Sequence, residues 1–394
     1  MKRIYFDHAA TTYCSDRARE AMLPYFSEFF GNANSLHSFG REAQKAVDSA
    51  RDRIAKCFGV KASEIYFTSG GTESDNWALK GVMRAHRSRG NHLITTKIEH
   101  HAILHTCQQL EKDGFEVTYL DVNADGIVDP KQLEAAITDR TVLVSVMAAN
   151  NEMGAIQPIE EIGRICRAHN VFFHTDAVQA IGAVPIDIER MNIDLLSLSA
   201  HKFYGPKGIG VLYKRNSVRI DKLIIGGAQE RNMRGGTTDT PLIVGMAAAL
   251  EDAVRDMEKN NAHSAALRDR LLGRIEKEIP FVRVNGSRTK RLPNNANVSF
   301  EYIEGESILM SLDLAGIAVS SGSACTSGSL DPSHVLLAMG LPEETAHGSI
   351  RFTFGKCNTM EDVDYAVDKL KEIIEKLRNM SPLFHNQRGE LKYV

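Results

Sequence analysis

The segment DLLSLSAHKFYGPKGIGVLYK, residues 194–214, contains two apolar runs joined by a short polar connection. Apolar runs of this length, bounded by Gly and Pro, predict two buried strands. Because so short a connection cannot cross a sheet, we expect the second strand to run antiparallel to the first. The segment also places Lys202 directly after the first strand.

Similar runs occur upstream, and they alternate with helical patterns such as TESDNWALKGVMRAHR (72–87) and IEEIGRICRAHN (159–170). This alternation predicts an α/β fold with a mainly parallel sheet covered by helices, seven strands in all. A long helical pattern follows at residues 240–279, and mixed strands and helices fill the C-terminal third. The other predicted strands are EIYFTSG (64–70), HLITTKI (92–98), EVTYLDV (116–122), TVLVSVMAA (141–149) and VFFHTDA (171–177).

Composition excludes several functional classes. The chain has 394 residues, 25% of them charged, and a net charge of −3, so no basic surplus indicates nucleic acid. The longest apolar runs are too short to span a bilayer, and the N-terminus lacks the apolar core of a signal peptide. Its six cysteines form no CxxC pair, which argues against zinc and disulfide scaffolds. We expect a cytoplasmic protein with reduced thiols.

Ligands of a parallel sheet bind beyond the carboxyl ends of its strands, so the residues that follow each strand are candidates. After EIYFTSG, Gly71 and Thr72 open a helix whose backbone N–H groups could bind a phosphate. The ordinary structural alternative is a threonine that caps the helix in a tight turn. The segment does not match a P-loop, because no Gly-Lys-Ser/Thr follows.

Three further strands are followed by polar groups. His100 and His101 follow HLITTKI, Asp176 and Gln179 follow VFFHTDA, and His201 and Lys202 follow DLLSLSA. Each has an ordinary explanation: a helix cap for the aspartate, a solvated surface group for the lysine. A metal pair formed by His101 and His105 has no evident third ligand, so no permanent metal site is expected.

Together these signals indicate one cofactor, pyridoxal 5′-phosphate. Its aldehyde requires a lysine, its pyridinium nitrogen requires an acid, and its phosphate requires a cradle at a helix start. Lys202 would bind the aldehyde, and Asp176 would keep the ring nitrogen protonated. Thr72, Ser199 and His201 could reach the phosphate.

Several stretches, in order between about residues 4 and 360, resemble the cysteine desulfurases of the NifS/IscS type. They are FDHAATT (6–12), TSGGTESDN (68–76), EHHA (99–102), NNEMGAIQPI (150–159), HTDAVQAIG (174–182), SAHKFYGPKGIG (199–210), GGAQERNMRGGT (226–237), SSGSACTSG (320–328) and SIRFTFG (349–355). The long Ser/Gly segment resembles group I of that family. The resemblance implies a fold-type I pyridoxal-phosphate homodimer. Its large domain would cover residues 14–255, and its small domain would combine residues 1–13 and 256–394.

The resemblance also implies roles for individual residues. Cys325 would be the nucleophile that takes sulfur from L-cysteine and carries it as a persulfide, on a loop that moves between cofactor and acceptor. Lys202 would remove the α-proton with help from His100. Arg351 would bind the substrate carboxylate with two parallel hydrogen bonds. Asn151 and Gln179 would contact the cofactor, and Asn151 would also contact the substrate. Thr237 would reach the cofactor phosphate of the other subunit.

The implied activity is conversion of L-cysteine to L-alanine, with sulfur passed to an acceptor protein such as an iron–sulfur scaffold. Cys325 could also serve as a transient iron–sulfur ligand. Two alternatives stay open: another fold-type I enzyme, such as an aminotransferase or selenocysteine lyase, and a non-enzymatic assembly subunit. Three features depart from the family pattern: Ala33 where proline is common, Asp239 where asparagine is usual, and the C-terminal FHNQRGELKYV.

Overall fold

A seven-stranded sheet forms the centre of the molecule. The computed structural model describes residues 3–321, 332–382 and 384. The strand order is β2-β8-β7-β6-β5-β3-β4, and only β8 runs antiparallel to its neighbours. The predicted fold class is therefore confirmed, as is the antiparallel strand after Lys202. The strands are β2 (Ile65–Thr68), β3 (His92–Thr96), β4 (Glu116–Leu120), β5 (Thr141–Ser145), β6 (Phe172–Asp176), β7 (Leu195–Ser199) and β8 (Gly210–Lys214).

Helices pack on both faces of this sheet, because the neighbouring residues Leu195 and Leu196 point to opposite faces and belong to separate hydrophobic clusters. None of the described helices is both long and apolar enough to cross a membrane. The helices that precede residue 240 are α1 (Asp16–Met22), α2 (Pro24–Ser27), α3 (Ser38–Phe58), α4 (Gly71–Ala85), α5 (His101–Lys112), α6 (Pro130–Ala136), α7 (Ile159–Ala168) and the single turn α8 (Gln229–Asn232).

The helical pattern at residues 240–279 forms two helices, α9 (Thr240–Arg255) and α10 (Met257–Glu278), instead of one. The break lies at Asp256, where φ is −97° and ψ is 10°, outside the helical range. The apolar pattern gives no sign of this break, because both helices keep one buried face toward a core.

The C-terminal third contributes two small sheets, β1-β11 and β12-β10-β9. Ile4 and Phe6 share a hydrophobic cluster with residues between Leu267 and Ile374. This cluster agrees with the proposed small domain, whose boundaries stay a prediction. The remaining elements are β1 (Ile4–Tyr5), β9 (Val282–Val284), β10 (Asn295–Phe300), α11 (Gly305–Leu314), β11 (Ile317–Ala318), α12 (His334–Ala338), α13 (Glu343–His347), β12 (Ser349–Thr353) and α14 (Met360–Met380).

A buried ion pair fastens the segment before Thr237 to the sheet. Both Glu230 carboxylate oxygens accept hydrogen bonds from Arg51, at 2.7 and 2.8 Å, and one also accepts from the Phe67 backbone N–H at 2.9 Å. Removing one partner of a buried pair leaves the other charge uncompensated. We expect Glu230→Ala to lower the free energy of unfolding by about 3–5 kcal/mol, as measured by urea denaturation.

Glu160 is the matched control, because it pairs with Arg190 on the surface at 2.5 Å. Exposed pairs contribute about 0–1 kcal/mol, so Glu160→Ala should change the stability little. Equal effects of the two substitutions would show that the Glu230 pair does not stabilise the fold.

Candidate active site

A cavity of about 560 Å³ lies at the carboxyl ends of the central strands. Because parallel strands end at the same edge of the sheet, residues far apart in sequence meet there. Cys325 lies outside the described residues, and Thr237 lines a separate depression of about 220 Å³. The predicted site residues that line the main cavity are Gly71, Thr72, His100, Asn151, Asp176, Gln179, Ser199, His201, Lys202 and Arg351.

Lys202 follows β7 in a single 3₁₀ turn, which aims its side chain into the cavity. Its ammonium group donates to the backbone carbonyls of Ala9 and Ala10, at 2.5 and 2.8 Å. The side-chain amide of Gln179 donates to the same Ala9 carbonyl at 2.9 Å. The N-terminal segment therefore holds the lysine in place, and these two carbonyls belong to the site.

Asp176 ends β6 and accepts a hydrogen bond from the Val178 N–H at 2.9 Å. Burial raises the pKa of Asp176 to about 6, although the Lys202 charge lowers it. Asp75 lies deeper, and burial together with the Asp176 charge raises its pKa well above the ordinary value. Asp176 is the carboxyl of this pair that lines the cavity and lies near the Lys202 charge.

His100 caps the N-terminus of α5, since its Nδ1 accepts from the Ala102 N–H at 3.1 Å. This contact places the proton of the neutral ring on Nε2. Burial, and then the charge on Lys202, lowers the pKa of His100 to about 4. His100 is therefore neutral at pH 7 and offers an N–H group.

The N-terminus of α4 provides the predicted cradle. Gly70 has a φ of 151°, a backbone conformation that residues other than glycine rarely adopt. A Cβ atom on Gly71 would lie 2.7 Å from the Val178 side chain, so a larger residue there would force Val178 to shift. The first backbone N–H groups of a helix have no partner within it, so they can bind an anion. Ser199 and His201 line the same part of the cavity.

Arg351 is buried in β12, and its guanidinium group reaches the cavity. One terminal nitrogen donates to the Asn151 carbonyl and the other to the Asp7 carboxylate, both at 2.9 Å. Its Nε–H is buried without a hydrogen-bond partner. Since a guanidinium group has five N–H donors and these two contacts use two of them, donors that include Nε–H remain for a substrate carboxylate.

Glu99 is a buried acid that the sequence analysis missed. Its Oε1 accepts from the Thr96 hydroxyl at 2.7 Å and from the Met147 N–H at 3.0 Å, whereas Oε2 has no partner. Burial raises its pKa from 4.5 to about 8. The folded state therefore binds this proton more tightly than the unfolded state, so stability is lost as pH rises from 4.5 to 8.

Glu99→Gln removes this titration. We expect wild type to lose thermal stability relative to Glu99→Gln between pH 4.5 and 8, and no further above pH 8. The melting temperature of the protein without cofactor, measured at several pH values, tests this. Parallel curves for both proteins would mean that Glu99 has an ordinary pKa in the folded state.

The residues missed by the sequence analysis share one property, which is that their roles depend on distant contacts. The Ala9 and Ala10 carbonyls have no side-chain signature, and only the FDHAATT resemblance indicates that segment. Asp75 and Glu99 could have been noticed as acids on otherwise buried faces.

His101 and His105 lie with their ring centroids 4.9 Å apart. No group of described residues forms a metal site.

The chain matches the family model "Aminotransferase class-V" over residues 4–366. It is 56% identical over 387 residues to "Cysteine desulfurase IscS" of Clostridium botulinum (strain Kyoto / Type A2), covering 98% of each chain. A solved structure titled "NIFS-LIKE PROTEIN" has a TM-score of 0.90 and 42% identity, covering 95% of this chain and 100% of that one. "SspA in complex with cysteine" gives a TM-score of 0.80 and 39% identity over 91% of this chain and 100% of that one. This chain therefore belongs to the class-V aminotransferase family, among the cysteine desulfurases of the NifS/IscS type.

Proposed function

We propose that the protein is a cysteine desulfurase that converts L-cysteine to L-alanine and carries the sulfur as a persulfide on Cys325. The observation that carries the proposal is the single cavity that brings together Lys202, Asp176, His100 and Arg351 at the start of α4. The relatives named for this activity support it, as does the related structure with cysteine.

The donors in the cavity fit pyridoxal 5′-phosphate. The α4 N-terminus, with Gly71, Thr72, Ser199 and His201, would hold the phosphate. Asp176 offers a buried carboxyl that ionises beside a cation, as the protonated ring nitrogen requires. Lys202 would bind the aldehyde, and Asn151 and Gln179 would contact the ring. These placements rest on the lining residues and the glycine cradle described above.

The cofactor, when bound, would supply the electron sink that stabilises a carbanion at the substrate Cα. Lys202 is the base that would take the α-proton, and the carbonyls of Ala9 and Ala10 hold its ammonium group as long as no cofactor is bound. His100 can donate a proton from Nε2, because its Nδ1 is occupied by the Ala102 N–H. Arg351 would orient the substrate through its carboxylate.

Sulfur transfer needs a thiolate, which is the reactive form of cysteine. The Cys325 thiolate would attack the substrate sulfur, so that an S–S bond forms as the Cβ–S bond breaks. The electron pair of the broken bond stays with the three-carbon fragment, which takes up protons and leaves as L-alanine. An external thiol reductant then releases sulfide from Cys325.

A homodimer would complete this site. Thr237 does not line the cavity of its own chain but an adjoining depression that shares Ser69 and Gly208 with it, and we propose that it contacts the cofactor phosphate of a second subunit. Large apolar side chains are exposed in a manner unusual for a monomer. They include Phe26, Phe30 and Leu36 before α3, Phe39 in the first turn of α3, and Ile225.

The acceptor of the sulfur would be a protein, such as an iron–sulfur scaffold or a thiolation enzyme, in the cytoplasm. Neither nucleic acid nor a membrane is an expected partner. The near-neutral charge of the chain favours recognition of the acceptor by shape and local contacts over a strong electrostatic field.

The test is a turnover assay with purified protein, pyridoxal phosphate, L-cysteine and a thiol reductant. We expect equal amounts of L-alanine and sulfide. An aminotransferase would instead require a keto-acid acceptor, a selenocysteine lyase would release alanine only from selenocysteine, and an assembly subunit would release none. Any of those three results would overturn the proposal.

A further inference from the structure

The chain on either side of residues 322–331 is hydrogen-bonded to a cavity residue or to a sequence neighbour of one. On the N-terminal side, Ser320 and Arg351 exchange backbone hydrogen bonds at 2.7 and 3.2 Å. Arg351 is the proposed carboxylate ligand. The segment that contains Cys325 therefore leaves the described structure directly beside a substrate-binding residue.

On the C-terminal side, the side chains of Ser333 and His334 form hydrogen bonds to residues that adjoin two cavity residues in sequence. The Ser333 hydroxyl donates to the Glu152 carboxylate, and Glu152 follows Asn151. His334 Nε2 donates to the backbone carbonyl of Glu99 at 3.0 Å, and Glu99 precedes His100. The chain that begins at Ser333 is thus attached next to Asn151, a proposed cofactor ligand, and next to His100, the proposed proton donor.

The Glu152 contact is buried and its geometry is constrained. Glu152 and Ser333 are 4% and 3% exposed, so water cannot readily replace either partner. The Glu152 backbone carbonyl accepts from the side-chain amides of Asn295 and Asn297, at 3.2 and 3.1 Å. Since its main chain is held from the other side, the Glu152 carboxylate is a fixed point to which Ser333 is attached.

We propose that Glu152 is a positioning residue for sulfur transfer, acting through its hydrogen bond to Ser333 to fix where the chain that carries Cys325 re-enters the site. This inference rests on the proposed desulfurase function. A misplacement of about 1 Å can cost roughly 100-fold in a reaction that requires aligned atoms, so loss of the bond should slow the transfer step.

Ser333 has a second contact that the test must separate. Its hydroxyl accepts from the Leu336 N–H at 3.2 Å and so caps α12. Ser333→Ala removes both the cap and the bond to Glu152. Glu152→Met removes only the bond at similar volume. Glu152→Gln keeps an acceptor oxygen, and Ser333→Thr keeps the hydroxyl.

The experiment mixes the holoenzyme with L-cysteine in the absence of reductant, stops the reaction by alkylation, and quantifies the persulfide on the Cys325 peptide by mass spectrometry. We expect Ser333→Ala and Glu152→Met to form it at least about tenfold more slowly than wild type. Both conservative variants should retain wild-type rates, and the double variant should be no slower than the slower single one. The absorbance change on cysteine binding should be unaltered.

Ser311→Ala is the control, because the Ser311 hydroxyl donates to the Ser307 carbonyl of the same helix, at 2.7 Å, and does not line the cavity. A wild-type rate in a folded Glu152→Met variant would overturn the inference, and slowing of Ser333→Ala alone would assign Ser333 to helix capping. Multiplying effects in the double variant would also overturn it. If wild type formed no persulfide on Cys325, the proposed function would fail with it.

Discussion

Lys202→Ala is expected to abolish turnover of L-cysteine, with kcat reduced at least roughly 10³-fold. The substitution removes both the amine that would bind the cofactor aldehyde and the base that would take the α-proton. Its neighbours cannot substitute for it, because His100 is fixed as a helix cap and has its pKa lowered to about 4. Alanine release and the visible absorbance of added cofactor are the two measurements.

Lys207 is the rival to exclude, since it also lines the cavity. Borohydride reduction of the holoenzyme should attach the cofactor to the peptide that contains Lys202. Attachment at Lys207, or normal turnover by Lys202→Ala, would overturn the assignment. Lys131→Ala, at an exposed position in α6, is the control and should behave as wild type.

Much of this arrangement follows from sequence because the determinants are local. Each central strand is an apolar run, and the residue after the run lies at the sheet edge where ligands bind. The fold class and the positions of Lys202 and Asp176 at strand ends are therefore predictable. The cap formed by His100 is local too, because it contacts Ala102. The space at Gly71 is instead limited by Val178, more than 100 residues away.

The rest depends on contacts between distant segments. The lysine is held by Ala9 and Ala10, more than 190 residues away, through backbone carbonyls that any residue possesses. One N–H group of Arg351 donates to Asp7, which the sequence analysis did not single out. The break at Asp256 is hidden because the apolar pattern continues through it. Such features require the folded chain.

Burial explains the remaining differences. Asp75 and Glu99 read in sequence as ordinary acids, yet both are buried and their pKa values are raised. Three carboxyl groups, counting Asp176, therefore influence each other beneath the cavity. The Lys202 charge opposes the rise in pKa at Asp176, the one of the three that lines the cavity.

Cys325→Ser is the substitution with the second large expected effect. We expect the variant to bind pyridoxal phosphate normally, because every proposed cofactor ligand lies elsewhere. Release of alanine and sulfide should fall at least about 10³-fold, since removal of a catalytic nucleophile has effects of this size or larger. A serine hydroxyl is not ionised at neutral pH, so it cannot replace the thiolate.

Cys357 provides the matched control, because it is the exposed cysteine among the described residues and lies outside the cavity. Cys357→Ser should retain wild-type turnover. Persulfide should appear on the Cys325 peptide and be absent from the Cys357 peptide when cysteine is added without reductant. Wild-type turnover by Cys325→Ser would refute the role of Cys325 as nucleophile while leaving the cofactor site intact.

Cys325→Ser removes the thiol that takes up the sulfur, whereas Glu152→Met only displaces that thiol. The first substitution should therefore stop the transfer, and the second should slow it.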